Sequence, residues 1–246
     1  MSMDYAHGQE FVRQVRPILE RHDGEGLVAH LSRYWPNDRL RGLLTCGNED
    51  AEKMALVCLS LTGTMADNAV VAQMLHDEDA LTASFAEHAI WSIWFRAGDD
   101  DAKLRLTRAV HLIDKGLFAK AIEVLSALLE RCPTFAEAYN QRAISYFLQG
   151  DYNRAIADCR AALRLNAHHF GAMAGLGHSY ASLGQLAQAL EAYRCSLQLH
   201  PRLEGIRESI QQIRKHVDRG KSQSHSPPSC PLPVAPAHTS DRRKER

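Results

Sequence analysis

The residues best suited to chemistry in this 246-residue chain are its thirteen histidines, of which His168, His169 and His178 lie closest together. A zinc ion needs three or four imidazole, thiolate or carboxylate ligands converging on one point. Adjacent side chains such as His168 and His169 diverge from a helix start, so no metal is expected. The acidic run from His76 to Asp79 lacks the alternating ligands and central glycine of a calcium loop and reads as a polar turn. His178 alone would suit a pH-dependent contact or a general base, although lone helical histidines commonly serve packing. The six cysteines, Cys46, Cys58, Cys132, Cys159, Cys195 and Cys230, contain no Cys-x-x-Cys pair and read as free thiols, mostly on apolar helix faces. No G-x-S-x-G, G-x-x-x-x-G-K-[ST], post-strand G-x-G-x-x-G or H-E-x-x-H pattern occurs. The expectation is a chain without catalytic residues, cofactor or metal.

Composition narrows the class of partner. Lys plus Arg equals Asp plus Glu at 29 each, so the formal charge is zero and no global positive field points to nucleic acid. The apolar stretches around 54–66 and 89–95 fall short of a membrane span. The N-terminal residues lack the basic and apolar regions of a secretory signal, which makes the cytoplasm the expected compartment. The charge is nevertheless polarised: residues 49–101 carry eleven acidic and two basic side chains, and residues 102–219 carry ten acidic and sixteen basic. Either the two halves attract one another, within or between molecules, or both are solvated faces, with Asp99, Asp100 and Asp101 complementing the dipole of a helix beginning near Ala102.

A period of 34 residues organises the second half. Gly116, Gly150 and Gly184 share one phase, Ala121, Ala155 and Ala189 another, and Leu112, Tyr146 and Tyr180 a third. Leu129, Leu163 and Leu197 agree as well, and Pro133 and Pro201 close the first and third units, with Ala167 in that place in the second. Within a unit, Tyr139, Ala143 and Tyr146 recur at helical spacing, Gly150 interrupts, and Ile156, Cys159, Ala162 and Leu163 resume. Each unit therefore predicts two helices joined by a tight turn. One such pair cannot bury its apolar face alone, so pairs stack into an array.

At these residues the chain resembles three tandem tetratricopeptide repeats, at 102–135, 136–169 and 170–203. The family's signature positions hold Gly177, Tyr180, Gly184, Ala189, Tyr193, Ser196 and Pro201 in the third unit. The resemblance implies a superhelix whose concave groove, lined by the first helix of each pair, binds an extended peptide or partner helix. Carried onto this chain, the groove comprises Lys103, Leu106, Thr107, Val110 and Asp114; then Glu137, Asn140, Gln141, Ile144 and Leu148; then Ala174, Gly175, His178 and Ser182. On that reading Asn140 and Gln141 hydrogen-bond a peptide backbone, and Leu106, Val110 and Ile144 give apolar contact. The family's carboxylate clamp needs Lys, Asn and Arg where this chain has Leu106, Val110, Gly171 and Gly175, so that clamp is missing.

The rest of the chain is read around this array. Residues 204–219 place Ile206, Ile210, Ile213 and Val217 at helical spacing and predict a capping helix. Residues 1–101 predict further helices, near 11–19, 27–35, 39–44, 50–61, 68–75 and 81–95. Ala55 with Leu59 and Ala89 with Ile93 recur about 34 residues apart, so this half resembles degenerate HEAT-like helix pairs, or else an irregular cap. Trp91, Trp94 and Phe95 form an aromatic cluster expected to pack between the halves, an exposed contact site being the alternative. Residues 220–246, with five prolines, five serines and a basic end, are expected to form a disordered tail.

The sequence thus predicts an all-α solenoid acting as a non-catalytic scaffold or adaptor that binds another protein, with no nucleic-acid or membrane partner. A self-assembling structural protein is the alternative, and after it a metal-binding or enzymatic one.

Overall fold

The computed structural model describes residues 3–222, and among them it contains thirteen α-helices and no strand. The first six are α1 (Met3–Glu20), α2 (Gly24–Tyr34), α3 (Asn37–Leu43), α4 (Glu49–Thr62), α5 (Asn68–Gln73) and α6 (Ala80–Phe95). There follow α7 (Asp100–Asp114), α8 (Phe118–Arg131), α9 (Ala136–Leu148), α10 (Tyr152–Leu165), α11 (Phe170–Ser182), α12 (Leu186–Leu199) and α13 (Ile206–Ser222). Single 3-10 turns at Met65–Asp67 and Met74–His76 flank α5. The proline-rich basic tail and Cys230 lie outside the described residues from 223 onward.

Local chemistry sets where the helices start. Asp23, Asn48, Asp79, Asp99 and Asp151 each accept a backbone N–H from the first turn that follows, satisfying donors that have no intrahelical partner. In α7 this leaves Asp101 free to pair with Arg105 at 2.7 Å and also with Arg131 of α8.

The repeated glycines end the first helix of each pair. Gly116, Gly150 and Gly184 have φ of 72°, 80° and 71°, a left-handed conformation that favours glycine. At each, the residue after the glycine donates to a carbonyl five positions back: Leu117 to Leu112, Asp151 to Tyr146 and Gln185 to Tyr180, at 2.8–2.9 Å. A Cβ at any of the three would meet open space, so conformation and not crowding selects glycine there. Gly177 serves the opposite need: its Cβ would lie 2.5 Å from the Tyr193 ring, so α11 and α12 approach across it.

The pairs α7/α8, α9/α10 and α11/α12 stack in order, and α13 covers the last pair with Ile206, Ile210 and Ile213 buried against Tyr180, Ala189 and Tyr193. The first helices pack directly on one another, α7 on α9 and α9 on α11, while the second helices have no comparable mutual contact. That asymmetry bends the stack so that the first helices form its inner face. The molecule is an all-α solenoid.

The N-terminal half does not extend this stack. Helix α4 is its centre, packed against α1, α3 and α6, with Ala55, Leu59, Ala89 and Ile93 all fully buried. Instead of stacking on α7 as a preceding pair would, α6 reaches α9. Phe170 of α11 belongs to the same core as Leu56, Leu75 and Trp94, with Leu199 and Leu203 packed against it. The halves are joined by apolar packing more than by their opposite charges. No helix among the described residues is long and apolar enough to cross a membrane.

Candidate interaction groove

The inner faces of α7, α9 and α11 carry the residues the sequence assigned to a groove, and the structure divides them into two sets. Leu106, Glu137, Asn140, Gln141 and Ala174 are buried. Lys103, Val110, Ile144, Gly175, His178 and Ser182 are half-buried, and Thr107, Asp114 and Leu148 are exposed. The buried members of α9 lie in its first two turns, and the accessible ones, Ile144 and Leu148, in its last.

The first turns are covered by α6. Trp94 stacks on the His169 ring at 4.2 Å between centroids and 25° between planes, and Trp91 meets Phe170 edge-on at 5.3 Å. Trp91 also lies over Gly171, where a Cβ would come within 2.9 Å of its ring. Phe95 packs against the core that contains Leu106 and Phe135. The aromatic cluster is therefore a junction between the halves, with Trp94 only 1% exposed.

Beneath these rings lies a buried polar network centred on Glu137. Its carboxylate accepts from Gln141 Nε2 at 2.6 Å, Asn140 Nδ2 at 3.3 Å and His169 Nε2 at 2.9 Å. His169 Nδ1 accepts the Ala172 amide at 3.1 Å, which places the ring proton of the neutral imidazole on Nε2, facing Glu137. Asn140 and Gln141 thus turn inward to a carboxylate and are not displayed for a peptide backbone. A second chain of bonds crosses the halves: Trp94 Nε1 donates to Asn68 Oδ1 at 2.7 Å, and Asn68 Nδ2 donates to Asn166 Oδ1 at 2.9 Å. Arg202 clamps the far edge, donating to the carbonyls of Leu75, Asp77 and Glu78 at 3.3, 2.7 and 3.1 Å. None of these roles for His169, Asn68 or Arg202 was assigned from sequence.

His178 is on the wall of the groove but is held by its own fold. The Tyr193 hydroxyl and the His178 Nδ1 are hydrogen-bonded at 2.8 Å, and burial pushes the His178 pKa down to about 4. It stays neutral at ordinary pH, as a packing residue would. Burial likewise pushes the Cys58 and Cys159 thiols up to about 12, leaving them unreactive. Among the described residues no three His, Cys, Asp or Glu side chains gather in a way that could hold a metal ion.

The open remainder of the groove is mixed, with Lys103, Thr107, Asp114, His178 and Ser182 beside three apolar side chains. Val110, Ile144 and Leu148 lie on successive first helices, with Leu148 39% exposed. The Thr107 and Ser182 hydroxyls donate back to the carbonyls of Lys103 and His178 at 2.9 and 3.0 Å, so toward a ligand they act as acceptors.

Comparison with known proteins agrees with this architecture. Residues 136–169 and 170–202 each match a family model of the tetratricopeptide repeat. A TPR repeat-containing protein of Rhizobium etli is 24% identical over 145 residues, which make up 59% of this chain and 71% of that protein. Small glutamine-rich tetratricopeptide repeat-containing protein 2 of Mycosarcoma maydis is 23% identical over 107 residues, 44% of this chain and only 30% of the relative. Among solved structures, the Sgt2 TPR domain from Aspergillus fumigatus aligns with a TM-score of 0.50 at 16% identity, covering 57% of this chain and 95% of that domain. This last likeness is one of fold.

Proposed function

We propose, on the premise that this chain is a tetratricopeptide-repeat protein through residues 136–202, that it is a non-catalytic adaptor and binds a peptide or helix of another protein in the open part of its groove. The observation that carries this reading is the set of accessible apolar side chains on the inner face of α7 and α9, Val110, Ile144 and Leu148. An apolar strip of this kind suits the apolar face of an amphipathic helix or alternate side chains of an extended segment.

The contact lies toward the C-terminal turns of the first helices, because α6 already covers the N-terminal turns of α9 and α11. Capture of partners from a native lysate by the wild-type chain is to be compared with capture by a variant carrying Ile144→Glu and Leu148→Glu, both at accessible positions. A partner lost only with the variant supports the open groove. Equal capture by both moves recognition elsewhere, and no partner together with a defined oligomer favours self-assembly.

A further inference from the structure

The covered end of the groove contains a bound helix, and that helix is α6 of the same chain. Trp91 and Trp94 stand three residues apart, one turn of helix, with their rings 5.0 Å apart and both directed at the loop that begins α11. Each meets a surface shaped for it: Trp91 fits over Gly171, where any side chain would intrude, and Trp94 lies flat on His169. We propose that the N-terminal turns of α9 and α11 form a helix-binding site for a partner helix carrying aromatic side chains at i and i+3, with α6 as the resident occupant that such a partner displaces.

The interface has the marks of a contact that can open. Asn166 Nδ2 is buried there without a hydrogen-bond partner, and the buried His200 Nε2 faces only the Glu87 carboxylate, at 3.2 Å. Glu137 is a fully buried carboxylate whose hydrogen bonds come from two amides and a histidine, with no Lys or Arg paired to it. Separating the halves returns all of these groups to water, which offsets part of the apolar area lost. The connection between α6 and α7 is only residues 96–99, and Arg96 is bonded back to the carbonyls of Ser60 and Gly63, which ties the start of that joint to the N-terminal half. A partner that binds only the open form has its apparent affinity reduced by the fraction of molecules open, and loosening α6 removes that penalty.

The proposal shares with the open-groove reading only the premise that the first helices recognise partners. Its test uses full-length chains and, as probe, a fluorescently labelled peptide of residues 83–97, ASFAEHAIWSIWFRA. The Trp91→Ala chain, once shown to keep wild-type helicity, is expected to bind this probe about tenfold more tightly than wild type or better. Adding Gly171→Val, which fills the cradle under the indole, is expected to abolish the gain. Equal affinity of wild type and Trp91→Ala overturns the proposal, as does a gain that survives Gly171→Val. A doubled mass without probe uptake overturns it in favour of exchange of N-terminal halves between two copies. Should Trp91→Ala lose helicity, amide exchange of the wild-type chain decides: residues 166–173 exchanging through an opening cheaper than global unfolding support the proposal, and exchange only with the most protected amides overturns it. Probe binding does not depend on Ile144 and Leu148, so each reading can fail without the other.

Discussion

Glu137 and His169, one at the start of α9 and the other capping α11, are hydrogen-bonded at 2.9 Å with both side chains fully buried. They tie two successive repeats together at the point where the N-terminal half crosses them. Removing the shared acceptor with Glu137→Ala strands three donors in the interior and is expected to cost about 2–4 kcal/mol in urea unfolding. Glu137→Gln keeps the shape and one acceptor oxygen and should cost clearly less. If the alanine variant is as stable as the glutamine variant, water has replaced the carboxylate and the network carries little energy.

The clamp made by Arg202 should matter most where it lands. Arg202→Ala leaves three carbonyls without that donor, and hydrogen exchange across residues 74–79 is expected to rise about tenfold while the exchange of α10 is unchanged. Arg202→Lys, a single ammonium in place of a fork, should rescue only part of the protection. Uniform acceleration along the whole chain would instead mean that Arg202 supports global stability.

Two glycines should fail for different reasons. Gly177→Ala drives a methyl to 2.5 Å from a fully buried Tyr193 ring and is expected to cost about 1–3 kcal/mol by overpacking. Gly150→Ala meets open space and is expected to cost about 1 kcal/mol, from its φ of 80° alone. Thermal unfolding of Gly177→Ala with Tyr193→Leu separates the cases, since a smaller partner relieves crowding but cannot relieve a backbone angle.

His178 gives the stability a defined pH window. In the folded chain burial holds its pKa at about 4, against 6.5 when exposed. Above pH 6.5 neither state carries the proton, and below pH 4 both do. Between these limits only the unfolded chain binds it, so stability falls as pH falls, by about 2–3 kcal/mol over the window. Denaturation of wild type and His178→Gln from pH 7 to pH 4 should show a shallower decline in the variant, and parallel curves would place the acid sensitivity in other groups.

The repeat array was legible because its determinants are local. Gly116, Gly150 and Gly184 recur where a left-handed turn is required, and a small residue, Ala143 and then Gly177, recurs where helices touch, so periodicity alone located the pairs. The packing of Trp91 and Trp94 between the halves was expected; what could not be read was that α6 reaches α9 and α11 instead of α7. Asn140 and Gln141 have the composition of a peptide-reading surface, and nothing in their own repeat shows that a carboxylate three or four residues away, covered by a helix about fifty residues upstream, engages them. A signal did exist: the segment ALTASFAEHAIWSIWF is apolar around most of its circumference, with Glu87 its only acidic residue, as befits a helix buried on two sides. The absence of a side chain at Gly171 in a groove position was the matching sign on the other partner.

The bonds between the halves join residues far apart in the chain: Asn68 to Asn166, His76 to Gln198, and Arg202 to Leu75 across 127 positions. A repeat array assembles from neighbours and can form in any order, but these contacts close long loops and slow the last stage of folding. During synthesis the N-terminal half is finished well before α11 and α12 have emerged, so the indole of Trp91 and the carbonyls of Leu75, Asp77 and Glu78 wait for partners that do not yet exist. The nascent chain therefore passes through an interval in which the aromatic face of α6 is uncovered.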